Sequence, residues 1–117
     1  MFNIMKLAII GSRTFIDYNT LCNHLKQYIN VTTLVVSGGA RGADSLGEQW
    51  AQDNNIQTQI FPAEWNKYGK RAGYIRNEDI IKNCDFCIAF WDGKSKGTLH
   101  SIKLCKKYTK PVTIINI

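Results

Sequence analysis

Thr33-Leu-Val-Val-Ser-Gly-Gly-Ala-Arg-Gly-Ala-Asp44 is the stretch on which the fold turns. Its first five residues form a mainly apolar run rich in β-branched types, which predicts a strand, Thr33 to Ser37, covered on both faces. The run passes directly into three glycines within five positions and then into a helical pattern. Strand, tight loop and helix in succession form the repeating unit of a parallel sheet, because parallel neighbours need a long crossover that a helix supplies.

The same unit recurs along the chain. Further strands are predicted at Met5 to Ile10, Thr58 to Phe61, Phe86 to Trp91 and Val112 to Ile115. Helices are predicted over Asp17 to Ile29, Asp44 to Asn54, Ile75 to Asn83 and Thr98 to Tyr108. Asp17 is placed to cap the first of these, with Leu21, Leu25, Tyr28 and Ile29 on its inner face. In the second, Ala43, Leu46, Trp50 and Ala51 face inward, and Gly47 permits close packing on the sheet. The third is expected to begin near Asn77, with Glu78 and Asp79 in its first turn where acidic groups suit the helix dipole. The last stops before Pro111. Five strands joined this way predict an α/β fold: one Rossmann-like, doubly wound parallel sheet of order 3-2-1-4-5 with helices on both faces. In that order the chain winds outward from strands 1 and 4, so a crevice opens between the loops after Ile10 and Trp91, bordered by the loop after Val36.

With 117 residues there is room for one domain, 1–117, and 44% hydrophobic with 21% charged residues excludes a disordered chain. The segment Met1 to Ile10 lacks the pattern of a signal peptide and no apolar run approaches the ~20 residues of a membrane span, so a cytoplasmic location is expected. Cys22, Cys84, Cys87 and Cys105 each sit in an apolar pattern and read as reduced core residues. The Cys84–Cys87 pair has no second ligand pair for zinc and leads into a strand, not a helix, so no metal is expected. A net charge of +6 favours anionic partners. Lys103, Lys106, Lys107 and Lys110 read as a solvated helix end, where cations suit the dipole.

Three loops carry the chemistry. Gly11-Ser12-Arg13, Ser37-Gly38-Gly39-Ala40-Arg41-Gly42-Ala43-Asp44 and Trp91-Asp92-Gly93-Lys94-Ser95-Lys96-Gly97-Thr98 each follow a predicted strand. Glycine accepts positive φ and lets a ligand approach the backbone, so such loops can aim several N–H groups, and a helix N-terminus, at one phosphate. One glycine would suffice for a tight turn; three with Arg41, a bidentate donor, favour binding. Thr98 can cap the last helix or meet a ligand oxygen. Gly93-Lys94-Ser95 looks like the end of a P-loop, but Ile88 stands where that motif needs glycine. Gly11-Ser12-Arg13 lacks the spaced glycines of a dinucleotide fingerprint, which argues against an NAD dehydrogenase. Phe61 to Asn77 reads as a long aromatic and basic loop holding Trp65, Tyr68, Tyr74, Lys67, Lys70, Arg71 and Arg76. One reading folds it over the crevice, an aromatic ring stacking on a base and Arg76 closing on a phosphate; the other has Trp65 and Tyr68 plugging the sheet end. His24 reads as a surface residue, and neither it nor His100 has a triad partner in the sequence. The expected ligand contacts are therefore Gly11, Ser12 and Arg13; Ser37, Gly38, Gly39, Ala40, Arg41, Gly42 and Asp44; Trp65, Arg76 and Asn77; and Trp91, Asp92, Gly93, Ser95, Gly97 and Thr98.

Ile10-Gly-Ser-Arg13, Val36-Ser-Gly-Gly-Ala-Arg-Gly-Ala-Asp44, Phe61-Pro-Ala-Glu-Trp65 through Gly73, Arg76-Asn77 and Ala89-Phe-Trp-Asp-Gly-Lys-Ser-Lys-Gly-Thr98 resemble the YspA-like, YpsA-related branch of the SLOG superfamily. That superfamily includes the Lonely Guy phosphoribohydrolases and the DNA-processing protein DprA. The resemblance implies a Rossmann-like fold binding nucleotides or related ligands. Lonely Guy enzymes cleave the N-glycosidic bond of a nucleoside monophosphate with a glycine-rich loop, an arginine and a Pro-Gly-Gly-x-Gly-Thr-x-Glu motif. Gly38 to Gly42, Arg76 and Gly93 to Thr98 look like the matching positions, but His100 stands where that family places its glutamate. A histidine does not steady an oxocarbenium-like centre as a carboxylate does, which leaves Arg76, Asp44 and Asp92 as the candidates for any catalysis. The leading expectation is a sensor or sequestering protein for a nucleotide or ADP-ribose-like metabolite, needing no cofactor, forming a homo-oligomer and independent of membranes. A nucleoside monophosphate N-glycoside hydrolase and a single-stranded nucleic-acid binding module are the alternatives.

Overall fold

The computed structural model describes residues 4–117. Strands β1 (Met5–Gly11), β2 (Thr32–Ser37), β3 (Gln57–Ile60), β4 (Phe86–Trp91) and β5 (Val112–Asn116) form one parallel sheet in the order β3-β2-β1-β4-β5. This is the predicted doubly wound order. Helices α1 (Tyr18–Leu25) and α2 (Ala43–Asp53) cover one face; α4 (Ala72–Lys82) and α5 (Lys96–Lys107) cover the other. A four-residue helix, α3 (Trp65–Tyr68), lies before α4.

The strand pleat sends alternate residues to opposite faces and so builds two cores. Leu7, Ile9 and Phe90 pack with Leu21, Leu25 and Trp50 on one side; Ala8, Ile10 and Ala89 pack with Ile80, Ile81 and Ile102 on the other. Complete burial of a Leu or Ile stabilises by about 1.5–3 kcal/mol relative to exposure, so β1 and β4, apolar on both faces, anchor the domain. Gly47 lies against β1: a Cβ there would sit 2.7 Å from Ile9 Cγ2. Cys84, Cys87 and Cys105 are buried free thiols, and burial pushes Cys84 up to about 12.

Several expectations need correction. All four residues of β3 are exposed, as are Thr113, Ile114 and Asn116 of β5, because these are the sheet's edges; continuous burial belongs to the central strands. Asp17 caps α1, accepting the Thr20 N–H at 3.1 Å, but beyond Leu25 the chain tightens into a 3-10 turn, Lys26–Tyr28, and Ile29 is left partly exposed. The α4 helix begins at Ala72, five residues before Asn77, and has no side-chain N-cap, the feature by which its start would be legible. Phe61 to Asn77 is accordingly not an open loop. It contains α3, a 3-10 turn at Gly69–Arg71 and half of α4, so Arg76 projects from a helix. α5 begins at Lys96, with Ser95 as its cap, and Thr98 occupies its third position. Among the described residues no helix is long and apolar enough to cross a membrane, and no His, Cys, Asp and Glu cluster is arranged to hold a metal.

Candidate functional site

The loops after β1, β2 and β4 are fastened together at one sheet edge, and buried Ser12 is the fastening point. Its N–H donates to Phe90 O at 2.9 Å, its carbonyl accepts the Ala43 N–H at 3.2 Å and its hydroxyl accepts the Asp92 N–H at 3.1 Å. The close approach depends on Gly42, with φ of +76°, where a Cβ would run into the carbonyls of Ser12 and Arg13. This glycine is required by loop packing, independently of any ligand.

Between the loops lies a cleft of about 370 Å³. Its floor is Ile10, Ile80 and Ser101; around it stand Gly11, Ser12, Arg13, Thr14, Ala40 and Asp44 on one side and Arg76, Asn77, Asp92, Ser95, Gly97 and Thr98 on the other. Other expected residues lie elsewhere. Ser37 is buried, its hydroxyl donating to Glu48 Oε2 at 2.6 Å. Trp91 donates its indole N–H to Ser95 O at 3.1 Å. Gly93, with φ of +79°, has open space around it at the loop tip. Gly38, Gly39, Arg41 and Trp65 line an adjoining groove that shares Arg13, Ala40 and Arg76 with the cleft. The expected contacts omitted Ile10, Thr14, Ile80 and Ser101. The signal for Ser101 was present, since it follows Thr98 by three residues and so shares its helix face.

Asp44 is the central electrostatic feature. Its carboxylate is buried and accepts the Ala40 N–H at 3.3 Å, with the Gly38 amide also directed to it. Burial raises its pKa to about 6, against the opposing pull of those amides and of Arg76. The Gly39 N–H is likewise engaged, by Ser37 Oγ at 3.3 Å. The amides expected to face a ligand thus hold the protein's own carboxylate and hydroxyl.

Arg76 crosses above. Its Nη1 donates to Gly38 O at 2.9 Å and its Nε to Asn77 Oδ1 at 3.1 Å. A side chain on Gly38 would meet both Arg76 and Asp44, at 2.7 and 2.9 Å, which explains the bare backbone there. Burial lowers the Arg76 pKa, with nearby Arg13 adding to that and Asp44 opposing it. Guanidinium groups stay charged throughout the ordinary pH range, so Arg13 and Arg76 bring two cations to one rim.

The loop after β4 is organised differently. Asp92 Oδ1 accepts the N–H groups of Lys94 and Ser95, both at 2.8 Å, and these bonds hold its carboxyl below the usual range. Ser95 Oγ accepts the Thr98 N–H at 3.3 Å and lies 2.9 Å from the Thr98 hydroxyl. One first-turn donor of α5 is thereby capped, while the N–H groups of Lys96 and Gly97 come before that of Leu99, which donates to Ser95 O at 3.2 Å as the first within the helix. Gly97 and Thr98 border the cleft at the positive end of this twelve-residue helix. Of the two rings expected as sheet-end plugs, Trp65 is 53% exposed, too open for that role, and Tyr68 is half-buried; Trp65 and the half-exposed Tyr74 line a groove that also holds Arg13 and Lys70.

The profile of the YspA, cpYpsA-related SLOG family matches residues 5–68, which carry the first two loops. The chain belongs to this family. It is similar to the gene 61 protein of Mycobacterium phage D29, with 34% identity over 116 residues covering 92% of this chain and 93% of that protein. Among solved structures it resembles DNA processing protein A of Helicobacter pylori, described by its single-stranded DNA binding mode, with TM-score 0.67 and 26% identity over 96% of this SLOG chain. It also shares the fold of DprA from Streptococcus pneumoniae, with TM-score 0.76 and 19% identity over 97% of its length. The chain spans 65% and 50% of those two proteins.

Proposed function

We propose that this protein, as one ligand-binding domain, is a cytoplasmic sensor or sequestering protein that holds a nucleotide or ADP-ribose-like metabolite by its phosphate. The observation that carries the reading is the convergence of Arg13, Arg76 and the first turn of α5 on one cleft, at the switch point where α/β sheets bind ligands. Charge-assisted hydrogen bonds contribute about 1.5–3 kcal/mol each, so three or four of them support micromolar affinity after the cost of association. Turnover has less support, since both candidate carboxylates, Asp44 and Asp92, are engaged by loop amides and His100 occupies the glutamate position.

A second reading, single-stranded nucleic-acid binding, is favoured by one observation: the half-exposed rings of Trp65 and Tyr74 share one groove with Arg13, Lys70 and Arg76, in a chain similar to a DNA-binding protein. Calorimetric titration with AMP, ADP, ADP-ribose and oligothymidylates of increasing length separates the two. Length-independent mononucleotide binding supports the metabolite reading. Affinity that grows with oligomer length and falls steeply with salt supports the second. Binding to none of these overturns both, and free base accumulating from AMP would restore the hydrolase.

A further inference from the structure

His100 lies on α5 facing α4, outside the cleft. Its ring meets Tyr74 edge-on with centroids 4.5 Å apart, and its Nδ1 is 3.3 Å from Asn77 Nδ2. The side chain of Asn77 is buried and fixed at both ends by groups with only one hydrogen-bonding role. Arg76 Nε can only donate, and it lies 3.1 Å from Asn77 Oδ1; Gly97 O can only accept, and it lies 3.3 Å from Asn77 Nδ2. The amide orientation follows without ambiguity. Nδ2 points its second proton at His100, so Nδ1 of His100 is the acceptor and the ring proton resides on Nε2. On the far side of Arg76, Nη1 continues the chain to Gly38 O.

From this chain we infer that neutral His100 is a positioning residue, which acts through Asn77 to lock the Arg76 guanidinium over the cleft. Protonation would place an Nδ1–H against the Asn77 Nδ2–H. Turning the Asn77 amide over would relieve that contact only by setting its NH₂ against Arg76 Nε–H and its oxygen against Gly97 O. No orientation satisfies all three neighbours once His100 is charged. The charged groups around the ring are Glu78 from α4, which favours the cation, and Lys103 from α5, which opposes it. Lys96 shares the same surface hollow, Tyr74 covers one edge, and partial burial favours the neutral ring.

The consequence for ligand affinity rests on the nucleotide reading of the cleft; the positioning itself does not. Nitrogen NMR on the wild type and on His100→Asn, whose Oδ1 can replace Nδ1 as a non-titrating acceptor, tests both. At about pH 7.5 the imidazole is expected as the Nε2–H tautomer, and the Arg76 Nε–H resonance should follow the His100 titration in the wild type and stay still in H100N. With ADP-ribose as probe, lowering the pH to about 5 should weaken binding about tenfold more in the wild type than in H100N. Titration of Asp44 and of the probe acts on both proteins alike and cancels in that comparison. An Nδ1–H tautomer, an Arg76 resonance indifferent to His100, or identical pH profiles of affinity would overturn the inference. If ADP-ribose binds neither protein, the reading of the cleft fails while the tautomer and the Arg76 resonance still decide the role of His100. Should H100N not fold, those two wild-type signals decide alone.

Discussion

Two loops of this SLOG domain look alike in sequence and differ in what they hold. Ser37 to Asp44 and Trp91 to Thr98 each leave a strand, pass through glycines and open a helix. In the first, the amides of Gly38 and Ala40 turn onto Asp44, so the anion in the glycine-rich turn is internal. In the second, Asp92 and Ser95 organise the turn from within, and the start of α5 remains at the border of the cleft beside two arginines. Glycine density therefore marks where backbones crowd, and the occupant of the donors decides whether a loop is architecture or a binding surface.

The contrast can be attacked first at Gly42. Its positive φ and the carbonyls pressed against it leave no place for a Cβ, so Gly42→Ala should cost about 3 kcal/mol or more in denaturant unfolding. Gly93→Ala, at a similar φ but in open space, should cost only about 1 kcal/mol. Comparable losses at the two sites would remove the packing explanation.

A slightly smaller effect is expected from pH. The folded-state pKa of Asp44 is raised from 3.8 to about 6, so the native state holds a proton that the unfolded chain has released across that interval. Its contribution therefore makes the protein less stable as pH rises from about 4 to about 6, by on the order of 3 kcal/mol in total. Subtracting the unfolding free energies of Asp44→Asn from those of the wild type should reveal this slope. A flat difference would mean that the carboxylate is not held as described.

Much of this architecture was legible. The limits of β4, the Asp17 cap and the strand order follow from apolar runs and turn residues that local chemistry dictates. The start of α4 was not legible, because Arg71 offers no side-chain cap and Glu78 and Asp79 imitate a first turn. The exposure of β3 depends on its place at the sheet edge, which a four-residue run does not encode. The candidate set around the cleft was largely visible as residue types, but the inward turn of Asp44 and the bonds from Arg76 to Asn77 and His100 arise only when distant segments meet.

Smaller still is the contribution of the α5 cap. Ser95→Ala removes one hydrogen bond to the first turn and should lower stability by about 1 kcal/mol, with a few-fold loss of nucleotide affinity through a looser helix start. Arg76→Ala should by contrast reduce affinity by tenfold or more, through loss of a guanidinium at the cleft rim. Equal effects of the two on binding, followed by calorimetry, would mean that the second loop matters as much as the cation.

The central claim concerns which donors receive the phosphate. Backbone and arginine ¹⁵N resonances followed during titration with AMP read this directly. The largest shifts should fall on the amide of Gly97, which has no partner within α5, and on the guanidinium groups of Arg13 and Arg76, with Gly38 and Ala40 nearly unmoved because Asp44 already occupies them. Shifts concentrated on Gly38 to Ala40, with Gly97 silent, would contradict it.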